Sequence, residues 1–267
     1  TFLQLKGLVK KIDLVVMIVD ARAPRASFNP MLEEMIAGQA CLVILNKEDL
    51  ADPKQTQAWI GYYKRKGFHA MAANCNEKSS SDKIAKTIQN ILPKVQGQLE
   101  KRAILAIGVP NVGKSTLINA LLGKKAQKVA NSPALTRQIA RIKYDDHTDL
   151  YDSPGVMLTK VQDENSGFLL AFIKAISDKV YDEQDIAYFL AEFLLAHHPD
   201  KLEARYEIAL GDKDLESSIA LIAKKLGAQK TAHIDYQQFA QRFLQDVRLG
   251  RLGVLSFECP QDVGADA

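Results

Sequence analysis

One short run, GVPNVGKS at residues 108–115, constrains the fold of this 267-residue chain more than any other feature. The run fits the pattern GxxxxGK[ST], follows a predicted strand at 103–107 and opens a predicted helix at 114–122. At such a junction the backbone N–H groups point at phosphate oxygens, and the helix dipole favours their negative charge. The sequence therefore predicts a nucleotide site in which Lys114 binds the β- and γ-phosphates and Ser115 ligates Mg²⁺.

Short β-branched runs alternate with amphipathic stretches over the first two thirds of the chain. This pattern is typical of βα units around a mostly parallel sheet. The predicted strands are residues 14–19, 41–45, 68–72, 103–107, 139–144 and 149–151, and the predicted helices are residues 29–37, 56–66, 81–92 and 114–122. A hairpin turn is expected at residues 145–147.

The last third of the chain has a different pattern. From about residue 168 the apolar spacing is helical, with predicted helices at 168–176, 183–197, 215–226 and 236–249. The polar residues 162–167 form an expected break before it. We therefore expect an α/β domain over residues 1–170 and an all-α domain over residues 171–267.

A second motif, Asn46-Lys47-Glu48-Asp49, directly follows the predicted strand at 41–45. In GTP-binding proteins an NKxD run recognises guanine, because its Asp accepts from the base N1–H and the exocyclic amine while the Lys stem covers the base. Adenine offers no such pair of donors, so an unpaired Asp49 would penalise ATP. The backbone after strand 68–72 is expected to add contacts to the base from Ala72, Ala73 and Asn74.

A third motif, DSPG, begins at Asp152 and ends at Gly155. It places a carboxylate at the water shell of Mg²⁺ and a glycine N–H at the γ-phosphate. Thr136 and Thr148 are the candidates for the hydroxyl that completes the metal shell, and we select Thr136, which lies in a turn-rich stretch.

Many GTPases carry a water-positioning Gln where this chain has Val156, which cannot orient water. Basal hydrolysis is therefore expected to be slow.

The three motifs together define the predicted site. The expected GTP ligands are Asn46, Lys47, Asp49, Ala72, Ala73, Asn74, Asn111, Val112, Gly113, Lys114, Ser115, Thr116, Thr136 and Gly155. The expected Mg²⁺ ligands are Ser115 and Thr136, with Asp152 acting through water. No residue is assigned as the catalytic group itself, and Lys114, Thr136 and Gly155 are expected to support the reaction.

The order of the motifs is unusual for a GTPase, since NKED precedes the phosphate loop instead of following DxxG. A circularly permuted chain builds the same sheet, because joining the old termini and opening new ones at the surface leaves the strand contacts unchanged. The joining segment is expected near residues 93–101. The new chain end falls after DxxG, so the nucleotide-sensing segment leads directly into the helical domain. We expect this connection to move the helical domain when GTP is replaced by GDP.

Composition excludes several other classes of protein. Apolar residues make up 47% and charged residues 25%, which is typical of a globular chain. No apolar run exceeds the length of residues 14–19, which is too short to span a membrane. The three cysteines are far apart in sequence and odd in number, which excludes a CxxC metal site or a disulfide framework and favours a reducing, cytoplasmic setting. The chain starts at Thr1 without a secretory leader and is expected to be a fragment.

Charge is distributed unevenly along the chain. Residues 1–178 carry 25 Lys and Arg against 17 Asp and Glu, whereas residues 179–267 carry 10 against 15. A basic excess in the first part is compatible with a polyanionic partner such as RNA. It is equally compatible with a solvated surface, and charge alone does not separate the two.

The sequence resembles the circularly permuted GTPases, most closely the ribosome biogenesis GTPase A family. The resemblance covers essentially the whole chain and rests on the following runs: DARAP at 20–24, NP at 29–30, NKED at 46–49, GVPNVGKSTLIN at 108–119, DSPG at 152–155 and GRLGVLSFE at 250–258. It implies a permuted P-loop GTPase fold and GTP hydrolysis coupled to binding and release from a late large-subunit precursor. It also implies contact of the helical domain with rRNA and stimulation by the ribosomal particle and by K⁺, with Asn111 matching the K⁺-linked asparagine.

The chain departs from that family pattern in three places. The family carries a Pro-Gly-His-Met run whose histidine is implicated in catalysis, and nothing before Leu14 supplies one. Ala134 replaces a glycine usual before the switch threonine. The acidic balance after residue 178 restricts any rRNA contact to a local patch, for which we select Arg242, Arg248 and Arg251.

We expect a monomer that binds no membrane. A GTPase switch acting on a protein, or a nucleotide-binding module with negligible turnover, are the alternative functions.

Overall fold

The computed structural model describes residues 2–28, 30–95, 97, 100–123, 139–155, 161, 163–177, 180–230 and 233–261. Its main sheet has six strands: β1 (Leu14–Asp20), β2 (Cys41–Asn46), β3 (His69–Ala73), β4 (Arg102–Ile107), β5 (Ala140–Lys143) and β6 (Thr148–Asp152). The strand order is β3-β2-β1-β4-β6-β5, and only β5 runs antiparallel to its neighbour among these strands. The prediction of a mostly parallel sheet is confirmed.

The central strands are buried on both faces. Every residue of β1 and β2 is buried, as expected for apolar runs without polar alternation in a parallel sheet. Leu14, Val16 and Ile18 belong to one hydrophobic cluster, whereas Val15 and Met17 belong to the cluster on the opposite face. The sheet is therefore held between two packed layers.

Helices of the first part cover these two faces. They are α1 (Phe2–Val9), α2 (Pro24–Ser27), α3 (Pro30–Met35), α4 (Pro53–Arg65), α5 (Lys78–Ile91) and α6 (Lys114–Leu122). The four predicted helices correspond to α3, α4, α5 and α6, with ends that differ by up to three residues. The prediction had no counterpart of α1 and α2. The four residues of α2 are too few to show a helical apolar period.

The last third contains five helices among the described residues, as well as a small hairpin. The helices are α7 (Glu164–Phe172), α8 (Glu183–His197), α9 (Pro199–Tyr206), α10 (Leu215–Lys225) and α11 (Tyr236–Arg248). The hairpin strands are β7 (Gln229–Lys230) and β8 (His233–Ile234). The four predicted helices correspond to α7, α8, α10 and α11. Sequence reasoning missed α9 and both short strands.

The expected polar break at 162–167 is wrong, because α7 begins inside it. The Asp163 carboxylate accepts a hydrogen bond from Ser166 N at 2.7 Å and caps the helix. The polar residues are thus the cap and first turn of a helix, which favour Asp and Glu. The expected turn at 145–147 is confirmed, because β5 and β6 pair as a hairpin around it.

The helices of the last third share a core with the sheet. Leu190 of α8, Ile219 of α10 and Phe243 of α11 belong to the same buried cluster as Leu14 and Ile104 of the sheet. The sheet and the helices of the last third therefore pack into one continuous hydrophobic core. The division into two domains at residue 170 stays a prediction. Within the described residues, no helix has the length and apolarity needed to cross a membrane.

Candidate nucleotide site

Parallel strands end together at the carboxyl edge of the sheet. Asp20 at the end of β1 lies beside Asn46 at the end of β2, and Asp152 at the end of β6 lies beside Ala106 of β4. Open α/β sheets bind their ligands at this edge. Three segments meet there: the base loop (residues 46–52), the phosphate loop (residues 108–115) and the DSPG run (residues 152–155).

The phosphate loop closes tightly onto the base loop. Gly113 adopts a φ of 99°, and a Cβ added there would collide with the side-chain amide nitrogen of Asn46. Glycine is required at this position both for the backbone angle and for the close approach. Helix α6 starts at the next residue, Lys114, so its free N–H groups face the loop.

Asn46 joins three loops through one buried side chain. Its Nδ2 donates to Val112 O at 2.7 Å, and its Oδ1 accepts from Cys75 N at 2.9 Å. The first bond holds the phosphate loop, and the second holds the segment after β3 that carries Asn74. Sequence reasoning assigned Asn46 to guanine recognition alone. These contacts show that it also holds the phosphate loop and the segment after β3 together.

Lys47 is held over the site by a buried carboxylate. Its Nζ donates to Asp20 Oδ2 at 2.7 Å and to Asn111 O at 3.1 Å. The Arg22 guanidinium also binds Asp20, with Nε and a terminal nitrogen each at 3.0 Å. Burial alone would raise the pKa of Asp20, but Arg22 and Lys47 outweigh it and hold that pKa far below its ordinary value. Asp20 therefore stays charged.

Asp20 was not among the predicted site residues. Its sequence signal is a single carboxylate at the end of an otherwise apolar strand, inside the DARAP run. Because a buried charge requires partners, such a residue points to nearby cations. Arg22 lies two residues away in the same run, but Lys47 could not be chosen from sequence spacing, since it comes from the neighbouring strand's loop.

The predicted base-recognition residues lie on adjacent strand ends. Asp49 is exposed within a short 3-10 helix, Glu48–Leu50, that follows Lys47 in a left-handed conformation. Ala73 pairs in register with Asn46 and brings Ala72 and Asn74 to the same edge. The site thus has an accessible carboxylate flanked by backbone groups of the β3 end.

The predicted phosphate and metal ligands form a second group. The Lys114 ammonium forms an ion pair with the Asp152 carboxylate, and Ser115 and Thr116 are exposed at the start of α6. Ser153 donates its hydroxyl to Ala106 O at 2.8 Å, which fixes the DSPG run against β4. The Ser115 hydroxyl and the Asp152 carboxylate are the oxygen donors that Mg²⁺ prefers, so the residues present fit this ion.

Several predicted residues lie elsewhere or outside the description. Thr136, Ala134 and Val156 lie outside the described residues. Thr148 is at the opposite end of β6 from Asp152, where its hydroxyl accepts from Arg102 at 2.8 Å. That position is unsuitable for a ligand of a metal beside Asp152, and the choice of Thr136 stays a prediction. His147 shares the hairpin end of the sheet and is likewise remote from the DSPG run.

Two contacts connect the site to the helical part. Asn111 has a φ of 62°, and its Nδ2 donates to Lys174 O, just after α7, at 2.6 Å. Arg22 donates to Arg248 O at the end of α11 at 3.3 Å. The phosphate loop and the Asp20 cluster are therefore both in direct contact with the last third of the chain.

The three arginines selected for rRNA contact also have internal partners. Arg248 Nε donates to Phe172 O at 2.8 Å, Arg251 pairs with the buried Asp246, and Arg242 donates to Leu226 O. Arg242 and Arg251 are exposed, whereas Arg248 is half-buried. Of the three, only Arg242 and Arg251 therefore present their guanidinium groups at an open surface.

The sheet order and the three loops define a P-loop GTPase whose chain is circularly permuted. Residues 3–162 match the family model of the RsgA GTPases, and residues 103–225 match that of the 50S ribosome-binding GTPases. The chain is 35% identical over 263 residues to Ribosome biogenesis GTPase A of Priestia megaterium, covering 95% of this chain and 91% of the relative. The chain belongs to the ribosome biogenesis GTPase A family.

Further comparisons agree with that membership. Ribosome biogenesis GTPase A of Bacillus cereus is 36% identical over 264 residues, covering 96% of this chain and 89% of the relative. The crystal structure of GNP-bound YlqF from T. maritima has a TM-score of 0.66 and 24% identity, covering 98% of each chain. The latter likeness shows the fold, which confirms the predicted P-loop GTPase fold with a helical C-terminal region.

Proposed function

We propose that this chain binds GTP, hydrolyses it to GDP and phosphate, and acts in assembly of the large ribosomal subunit. The observation that carries the proposal is the Asn46–Val112 hydrogen bond, since it joins the predicted guanine-binding loop directly to the phosphate loop. The names of the relatives, which are ribosome biogenesis GTPases, support the cellular role. The partner is then a late large-subunit precursor and its rRNA.

Nucleotide binding divides between the two groups of residues. Asp49 pairs with the guanine donors, the Lys47 stem covers the base, and Ala72, Ala73 and Asn74 supply backbone contacts. The phosphates lie against Asn111, Val112, Gly113, Lys114, Ser115 and Thr116, with Thr136 and Gly155 at the γ-phosphate. Ser115 and Thr136 would hold Mg²⁺, with Asp152 acting through water.

Hydrolysis requires charge stabilisation and a positioned water. Lys114 and the N-terminus of α6 offset negative charge that develops on the phosphates. Asn111 would hold a K⁺ ion through its amide oxygen, since its Nδ2 already donates to Lys174 O, and the ion would supply a second positive charge. Val156 orients no water, so turnover stays slow until the ribosomal particle completes the site.

Residues 171–267 form the proposed effector region. The contacts of Asn111 and Arg22 with this region give a route by which exchange of GTP for GDP alters its position. Exposed Arg242 and Arg251 are the proposed rRNA contacts there. The protein acts as a cytoplasmic monomer in this proposal.

Turnover measurements test the enzymatic part of the proposal. We expect slow GTP hydrolysis by the chain alone, faster hydrolysis in KCl than in NaCl, and the fastest with large-subunit precursors in KCl. Small subunits and ATP serve as controls and should give no stimulation. Identical rates in both salts would contradict the K⁺ role, and absence of stimulation by large-subunit particles would contradict the proposed coupling.

A further inference from the structure

The run GRLGVLSFE, residues 250–258, follows α11 and lies against the base loop. We call these residues the C-terminal segment. Leu255 N donates to Leu50 O at 2.9 Å, and the Ser256 hydroxyl accepts from Asp52 N at 3.1 Å. Both bonds are made within three residues of Asp49, on the side of the loop that leads into α4.

The backbone of Gly250 also approaches the Leu50 side chain closely. Gly250 has a φ of 69°, and a Cβ added there would lie 2.7 Å from Leu50 Cδ2. Any larger residue at position 250 must push Leu50 aside or move the segment. Leu50 ends the 3-10 helix that carries Asp49, so position 250 packs directly against the base loop.

The far end of the segment is anchored independently of the base loop. Phe257 N donates to Arg22 O at 2.9 Å, and the Glu258 carboxylate accepts from Arg25 N at 2.7 Å and Ala26 N at 3.0 Å. Trp59 Nε1 donates to Glu258 O at 3.2 Å. The segment is therefore fixed to α2 and α4 and can act as a rigid support.

The base loop itself is short of internal support. Its 3-10 turn has the bonds Leu50 N to Lys47 O and Ala51 N to Glu48 O, at 3.0 and 3.2 Å. A single 3-10 turn of this kind fixes the direction of a side chain less firmly than an α-helix does. Asn46 and Lys47 anchor the start of the loop, and the external bonds at Leu50 and Asp52 hold the side of Asp49 that leads into α4.

We propose that the C-terminal segment is a positioning element for base recognition. Leu255, Ser256 and Gly250 hold the base loop so that Asp49 meets both guanine donors at once. The inference rests on the proposed guanine-nucleotide site and adds that its selectivity depends on residues about two hundred positions away in the chain. Nucleotide selectivity is thereby tied to docking of the region that follows α11.

Base selectivity is the measurement that separates positioning from simple stability. GDP and IDP share their phosphates and ribose, but the hypoxanthine base of IDP lacks the exocyclic amine that Asp49 accepts from. We expect the wild-type chain to prefer GDP. Ser256→Ala and Gly250→Ala should each reduce the GDP-to-IDP affinity ratio by about tenfold, with a smaller change in IDP affinity.

The chain offers a matched control for each variant. Gly211→Ala introduces the same kind of strain, since Gly211 has a φ of 51°, but an added Cβ there contacts nothing within 4 Å. Ser218→Ala removes a buried hydroxyl that donates to Asp214 O within α10, away from the base loop. Thermal unfolding of all four variants checks that each is folded, and both controls should keep the wild-type ratio.

The outcomes distinguish this inference from the proposed function. A wild-type chain that binds GDP and IDP equally would overturn the base assignment and this inference with it. A wild-type preference that Ser256→Ala and Gly250→Ala retain in full would overturn this inference alone. A reduced ratio in these two variants, with the controls unchanged, supports it.

Discussion

Asp49→Asn is expected to change the nucleotide preference of this chain from GTP to XTP. The Asp49 carboxylate is exposed at the carboxyl edge of the sheet, where it can accept from two guanine donors. Each hydrogen bond to a charged group contributes about 1.5–3 kcal/mol, so loss of both lowers GTP affinity about a hundredfold or more. Xanthine presents an acceptor that matches the new amide. Competition binding with GTP and XTP measures the exchange.

The matched control is Asp82→Asn, which neutralises another exposed carboxylate on α5. It should leave both affinities unchanged. If Asp49→Asn loses GTP and gains no XTP binding while remaining folded, residues 46–49 are an ordinary loop and the guanine assignment is wrong.

Lys114→Ala is expected to weaken binding of both GTP and GDP by tens of fold or more. The change removes a charge-assisted contact to the phosphates worth about 2–3 kcal/mol. It also leaves the Asp152 carboxylate without its ion-pair partner at the same site, which adds repulsion toward the phosphates. Isothermal titration with each nucleotide measures the effect.

Lys86→Ala is the control for this variant, since Lys86 is an exposed lysine on α5. Its nucleotide affinities should equal those of the wild type. Unchanged GDP affinity in folded Lys114→Ala would show that the phosphates bind elsewhere.

The sheet and its loops could be predicted because their signals are local. β1 and β2 are continuous apolar runs bounded by polar residues, so their ends were predicted to within one residue. The phosphate loop is a contiguous pattern between a strand and a helix, and α6 was predicted to the residue. Where polar residues served as a helix cap, as at Asp163, the same local reasoning predicted a break and was wrong.

The supports of the site could not be predicted because they depend on distant parts of the chain. Asn46 contacts Val112 and Cys75, which come from two other loops. The Glu258 carboxylate binds the backbone of α2 near the opposite end of the chain. No spacing within a motif encodes such contacts, since they arise only when the sheet has brought the loops to one edge.

Nucleotide-dependent association with ribosomal subunits tests the central claim most directly. The chain is incubated with large-subunit precursors and either a non-hydrolysable GTP analogue or GDP, and the particles are sedimented. We predict that it pellets with the precursors in the GTP-analogue state, is released in the GDP state, and pellets with small subunits in neither. Equal pelleting in both nucleotide states, or equal pelleting with small subunits, would contradict a GTP-controlled role in large-subunit assembly.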